Sequence, residues 1–355
     1  MGTTTVLSVR RVFFPLDEQL QLKDKHFSES VLREMVWVSG RVESFAAAQE
    51  VLERIGRLNV SSSSVWRRVE RWGAVIKEQE ETRREKANSL PKRELFRQRV
   101  PEGAQRVGVS MDGTKVRLRQ EGWKELKVGC TFELAVRPTW RPETAEWEDL
   151  AHAVHNQYIA HLGGPERLGQ QLWAEAKRRG WEQADDREVI GDGAPWIWNQ
   201  AQDHFYDGQQ VVDWYHACEH LAASARWLHG EGTRAAQRWY RAAQKMLYQG
   251  QAARIAQHLR NKVSDRPELA EDLEREASYL EGHKRRMQYQ EFREDGYIIG
   301  SGTVESGCKQ FKARFCGPGM QWSRAGLERL IPIRAAVMGE CFDQVWQAAY
   351  NSPQN

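Results

Sequence analysis

The stretch Val189–His220, VIGDGAPWIWNQAQDHFYDGQQVVDWYHACEH, limits what this chain can fold into more than any other part of it. A short apolar run ends in Gly-Asp-Gly, Pro195 opens a helix, and a second apolar run, QQVVDWYH, ends in a polar cluster. Strand, helix, strand is the signature of an α/β protein. Asp192 falls where the first strand stops, with a glycine on each side, so its carboxylate is lifted onto a crowded turn at the sheet edge. Asp112 in SMDGTKV and Glu305 in GSGTVESGCK have similar settings, and the three acids form the candidate catalytic and metal-binding set.

With 355 residues the chain has room for two or three domains, each with a core of its own. A mean hydropathy of −0.72 describes a charge-rich globular protein. No apolar run approaches the ~20 residues that span a bilayer, and the N-terminus lacks the basic-then-apolar order of a secretory signal, so a cytoplasmic location and no membrane partner are expected. The net charge of +3 does not by itself call for nucleic acid. Residues 1–100 hold 19 Lys and Arg against 14 Asp and Glu, an excess that a solvated helical face explains as well as DNA does. The five cysteines, 130, 218, 308, 316 and 341, are widely spaced without a Cys-x-x-Cys pair and read as reduced thiols. Most of the 15 tryptophans sit at helical or strand spacing among apolar residues, which makes core packing their default role.

Along the chain, FFPLDEQL reads as a loop and SESVLREMVWVSG as an amphipathic helix. Phe45–Ile55, the break GRLNV and the serine-led VWRRVERW match a helix-turn-helix over about residues 45–72, inside a helical region 1–100. In that motif the second helix enters the major groove, which makes Ser63, Arg67, Arg68 and Arg71 candidate DNA contacts. A helical hairpin that only packs fits the same pattern. A loop around Pro91 serves as linker.

From Gln105 the period changes. QRVGVSMDG alternates and stops at Asp-Gly, and TKVRLR and KELKVGCTFELAV continue, giving a three-stranded antiparallel meander. Residues 142–161 carry a mixed signal, and PERLGQQLWAEAKRRGW is an amphipathic helix. This order, with acids at the first and fourth strands, is that of a ribonuclease H-like core, a mixed sheet with flanking helices. Its first part covers 101–220. Residues 221–296 show only helical spacing, broken at Gly230, Gly250 and Pro267, and read as an all-helical insertion. The core resumes over 297–355 with GYIIGSGTVES, a helix at Val304–Phe315 and the terminal helices Arg324–Gly339 and Glu340–Ala349.

Three carboxylates brought together from distant segments suit phosphodiester chemistry, in which two divalent cations stabilise the attacking and leaving oxygens without a covalent enzyme intermediate. Taken singly, an Asp-Gly after a strand is also an ordinary hairpin turn, and Glu305 is also an acid favoured by a helix N-terminus. The set in this topological order is far more specific than any member.

GDGAPWIWNQA, VVDWYHACEHL, and IGSGTVESGCK with RFCGPGMQWS together resemble the ISKra-type insertion-sequence transposases, relatives of the Mutator-like group. The likeness runs from about Leu16 to Trp346 and includes PLDEQL and the serine-led helix. It implies a DDE enzyme with a ribonuclease H-like core and helical insertion, with Asp112, Asp192 and Glu305 binding two Mg2+ or Mn2+ ions. Asp213 and His216 fall on the family's Asp-x-x-His signature in supporting roles. The implied partners are the terminal inverted repeats of a mobile element and its target DNA, held by a homodimer or larger synaptic complex at the nucleoid. Relatives usually begin with a cysteine-rich, zinc-ribbon-like segment, whereas no cysteine here precedes Cys130.

Lys309, Lys312 and Arg314 follow Glu305 on one helix and are candidates to grip backbone phosphates, and Trp322 is a candidate to stack on a displaced base. A solvated basic face and burial against the last helices are their plainer readings. His216, Cys218 and His220 alternate and on an extended segment would share a face, but no second ligand cluster exists and zinc is not expected. The alternatives to a transposase are a DNA-binding derivative without transposition and a ribonuclease H-like nuclease.

Overall fold

The chain is described by a computed structural model covering residues 23–24, 26–89, 106–141 and 145–352. The PLDEQL segment and the loop around Pro91 lie outside the described residues. Three helices come first, α1 (Glu29–Arg41), α2 (Phe45–Arg54) and the long α3 (Ser62–Ser89). Ser44 caps α2 by accepting from the Ala47 amide at 3.0 Å. A small cluster of Met35, Val38, Ala48, Leu52 and Val65 holds the three together. Leu32, Val36, Val69, Trp72 and Ile76 of α1 and α3 also enter the main core, so the helical region is continuous with the sheet's packing. Where α3 crosses the later helix of Pro332, a Cβ on Gly73 would fall 2.3 Å from the Arg329 carbonyl oxygen. Only glycine admits that approach.

The sheet has five strands, β1 (Arg106–Leu118), β2 (Gly122–Arg141), β3 (Glu146–Leu162), β4 (Asp186–Gly191) and β5 (Gln209–Val212), in the order β3-β2-β1-β4-β5. β1, β2 and β3 form an antiparallel meander, and β4 and β5 run parallel to β1. The meander is the one expected, but its strands lie elsewhere. β1 does not stop at Asp-Gly: Asp112 pairs with Val128 and Gly113 with Lys127 in an unbroken ladder. The alternation of QRVGVS carries on through TKVRL with buried Thr114, Val116 and Leu118, so nothing in the side-chain pattern asks for a turn. The third strand comes from the segment of mixed signal, 146–162; it is the sheet edge, pairs only with β2 and is exposed or half-buried over most of its length, so it shows no buried alternation.

Helices α4 (Pro165–Arg178) and α5 (Pro195–His204) cover one sheet face, where Leu172 fills the space over Gly129 and Ile197 that over Gly191. The other face is covered by α11 (Gly302–Phe315) and α12 (Arg324–Met338), with Gly307 of α11 lying against Tyr158 and Val128. Between β5 and α11 come only helices: α6 (Trp214–His229), α7 (Arg234–Tyr248), α8 (Ala252–Val263), α9 (Ala270–His283) and α10 (Tyr289–Glu294). α13 (Phe342–Asn351) closes the chain against α3, with Trp72 stacked at 5.3 Å on Tyr350 and at 4.8 Å from Trp346. All five cysteines carry free thiols. Among the described residues, no helix is long and apolar enough to cross a membrane.

Glu188 on β4 is fully buried, one oxygen accepting from the Ile298 amide at 3.3 Å and the other without a partner. Burial pushes its carboxyl well above the usual range. The folded chain therefore binds this proton more tightly than the unfolded one, and stability falls as pH rises from the ordinary Glu value through the folded one. Glu188→Gln removes that loss. It is expected to leave stability unchanged near pH 4 and to raise it by about 1–3 kcal/mol at neutral pH, measured by urea unfolding across pH.

Candidate metal and phosphodiester site

Adjacent parallel strands deliver two of the acids. Ser110 of β1 and Ile190 of β4 form the last pair of their parallel ladder, and Asp112 and Asp192 each lie two residues further along, toward the carboxyl end of β4. Asp192 Oδ1 accepts from the Ala194 amide at 2.8 Å, closing the turn into α5. Gly193 has φ +101°, and a Cβ there would sit 2.8 Å from the Tyr279 ring, so glycine is required twice over. The Tyr279 hydroxyl donates to the Asp192 carbonyl at 3.2 Å.

Glu305 lies in the first turn of α11, on the sheet face that carries Asp112. Cys308, one turn further on, connects the two: burial first, then the charges of Asp112 and Glu305, push its thiol upward. The Ser301 hydroxyl donates to Glu305 Oε1 at 3.3 Å. All three acids are half-buried.

The extended run ends at Asp213, as expected, but Trp214–His220 is helical and does not continue it. β5 stops at Val212, and Asp213 is the N-cap of α6, its Oδ1 accepting from the His216 amide at 2.8 Å. The polar side chain satisfies an orphan helix donor there and ends the strand. Its own amide donates to the Gly191 carbonyl at 2.8 Å, and its Oδ2 accepts from the Ser301 amide. Fully buried Asp213 thus ties together the end of β4, the start of α6 and the start of α11. Burial alone would raise its pKa, but the hydrogen bonds from His216 and Ser301 outweigh it and hold the carboxyl below its ordinary value. The His216 ring lies with Nδ1 3.2 Å from Asp213 Oδ1. That bond, opposed by burial and helped by the charges of Asp213, Asp192 and Glu219, raises its pKa to about 9.

Ligating atoms of Asp213, His216 and Glu305 lie within 4.8 Å of one another, the set compact enough to seat a cation among the described residues. It overlaps the expected triad only at Glu305. Because α6 is helical, His216 and His220 share a face one turn apart while Cys218 is buried on another, so the alternating zinc face foreseen for an extended segment does not arise.

Sequence reasoning missed an outer ring from α9. The buried carboxylate of Glu276 bonds His220 Nδ1, and the His220 ring stacks on Tyr279 at 3.7 Å. His283 comes next, its pKa lowered to about 4 by burial, then by Arg286 and His220. Glu276, Tyr279 and His283 stand at i, i+3 and i+7. That spacing was visible, but only the structure turns this face of α9 toward Asp192.

Several expected DNA contacts are otherwise engaged. Arg314 is 1% exposed and donates to the Ser39 and Glu43 carbonyls at 2.9 and 3.1 Å, between the Phe45 and Trp322 rings. Nine residues beyond Glu305 is half a turn out of phase, so Arg314 points away from the acids. Burial, with Arg334 beside it, lowers its pKa to about 10. Trp322 does not offer a free face either: it packs edge-on with Phe45 and Phe315 under Arg314 and donates to the Phe315 carbonyl at 3.0 Å. It lies against α2 and α11, not the last helices. Arg68 pairs with Asp24 at 3.1 Å over the Phe27 ring, and Arg71 reaches the same carboxylate at 4.0 Å. Ser63 and Arg67 are exposed at the start of α3, and Lys309 and Lys312 are exposed on α11, Lys309 3.9 Å from Glu305.

No family model and no curated protein matches the chain.

Proposed function

We propose that the protein is a metal-dependent DNA transposase of the DDE type, built on a ribonuclease H-like core with a helical insertion. What supports this reading is that Asp213, His216 and Glu305 come close enough together to seat a cation, with Asp112 and Asp192 each two residues beyond the last β1–β4 pair. The strand order, antiparallel for three strands and parallel for the next two, supports the core assignment.

Asp112, Asp192 and Glu305 would hold divalent cations. Oxygen donors suit Mg2+ and Mn2+. When bound, the metal supplies an activated hydroxyl and stabilises the charge on the transferring phosphate. Asp213, whose oxygens accept from the His216 and Ser301 N–H groups, positions His216. His216, fixed by that bond, donates toward a phosphate oxygen. Lys309 stands at the rim to neutralise the next phosphate. Water would break a phosphodiester at an element end, leaving a 3′-hydroxyl on the element and a 5′-phosphate on the flanking strand, and that hydroxyl would attack a target phosphodiester in the same site, forming a new one and releasing the target strand's 3′-hydroxyl. Two ends must be joined, which calls for a dimer or larger assembly.

The test is a strand-transfer assay with end-containing DNA in Mg2+ or Mn2+. Joined products are expected. Cleavage without joining would make the protein a nuclease, and binding without cleavage a DNA-binding derivative.

A further inference from the structure

The helical block carries a charge asymmetry that the active-site reading leaves unused. Residues 232–264 contain no Asp or Glu but seven Lys and Arg. Four of these, Arg234, Arg238, Arg241 and Lys245, recur at i, i+4, i+7 and i+11 on α7, which places them within one narrow arc of the helix. The opposite face, Ala236, Ala243 and Leu247, is buried. All four cations are exposed, and among the described residues none has a carboxylate in ion-pair range.

Their neighbours behave differently. Arg260 pairs with Glu274, Lys262 with Asp265, Arg266 with Glu268, Arg275 with Asp272 and Lys284 with Glu281. Five cations of the block are thus neutralised locally, whereas the row on α7 and the scattered, exposed Arg226, Arg254 and Arg285 have no ion pair among the described residues; only on α7 do unpaired cations line up on one face. A row of like charges about 16 Å long repels itself and is stabilised by an external polyanion. At the C-terminal end, Lys245 borders a cleft shared with Glu148 and Asp149, which leaves the three arginines as the open part of the row.

We propose that the Arg234–Arg238–Arg241 face of α7 is a sequence-independent docking surface for the phosphate backbone of duplex DNA. It rests on the transposase reading for the choice of DNA as the polyanion. Guanidinium groups suit phosphate oxygens in geometry as well as charge, and the flat row offers no pocket that would read bases. The surface holds a duplex without choosing its sequence, a property suited to target DNA.

The test measures binding of a 30-bp duplex without end sequences, in EDTA, over a salt series. The triple variant Arg234→Gln, Arg238→Gln, Arg241→Gln is compared with a charge-matched control, Arg260→Gln, Arg266→Gln, Lys284→Gln, in which the lost cations are paired ones. Losing three phosphate contacts flattens the slope of log K against log salt by about 3 and weakens binding about tenfold or more at moderate salt. The control is expected to keep nearly the wild-type slope, and both variants to keep its melting temperature. Equal slopes in all three proteins, an equal fall in both variants, or no duplex binding by the wild type would overturn the proposal. So would tighter stripe-dependent binding of an RNA duplex or an acidic polypeptide. Binding in EDTA needs no catalysis: a stripe effect in a protein that never cleaves leaves the surface standing and removes the transposase reading, and cleavage with an unaffected stripe does the reverse.

Discussion

Asp192→Asn is expected to abolish metal-dependent cleavage and joining while leaving the fold intact. Asparagine keeps the Oδ1 acceptor that closes the turn onto the Ala194 amide at 2.8 Å, so α5 still starts where it does. What it loses is the negative charge and one hard oxygen donor. Even outer partners of metal ligands cost about 10–100-fold when removed, and a carboxylate in direct contact with the cation is expected to cost more than about 100-fold in rate. The same assay on Asp213→Asn serves as a contrast. That side chain is a hub for backbone donors, so its loss is expected to lower the melting temperature together with activity. A wild-type rate in Asp192→Asn would remove the metal site as drawn.

Arg314→Met is expected to be the most destabilising single change at a residue first read as a phosphate contact. Arg314 and Arg334 act as a pair at the end of α1: Arg314 donates to the Ser39 and Glu43 carbonyls, and Arg334 to those of Gly40, Arg41 and Gln310. A helix C-terminus leaves its last carbonyls unpartnered and carries partial negative charge, so two buried guanidinium groups satisfy both needs at once. Methionine fits among Phe45 and Trp322 but strands the carbonyls. Hydrogen bonds to a charged group contribute about 1.5–3 kcal/mol each, and a loss of about 3 kcal/mol in urea unfolding is expected. DNA binding per folded molecule is expected to stay unchanged, whereas a phosphate-gripping arginine would show the reverse.

How much was legible depended on whether the signal was local. Asp192 was readable because Gly191, Gly193 and Pro195 announce a turn and a helix start, and the turn is there. Asp112 was reached through a reading of its strand that the structure corrects. Asp-Gly suggested a hairpin, but the flanking alternation kept β1 running, and only pairing with β4 carries Asp112 and Asp192 two residues past the last pair of that ladder. DWYH was misassigned as extended because aromatic residues favour strands, while the capping power of Asp213 was the stronger local signal. For Arg314 and Trp322 the residue types suited nucleic acid, but their helical phase turned them inward against α1 and α2.

The sequence by itself determined the element order, the glycine-flanked acid, the all-helical block and the acid-free basic stretch, since each is a matter of periodicity, turn chemistry or charge along the chain. Tertiary structure alone decided the register that carries Asp112 and Asp192 two residues past the last β1–β4 pair, the tie of Asp213 to Gly191 and Ser301, and which arginines are buried clamps and which stand free. Those depend on contacts between residues tens to hundreds of positions apart. Such contacts leave no mark on local spacing, because a side chain's environment is made by whatever the fold packs against it.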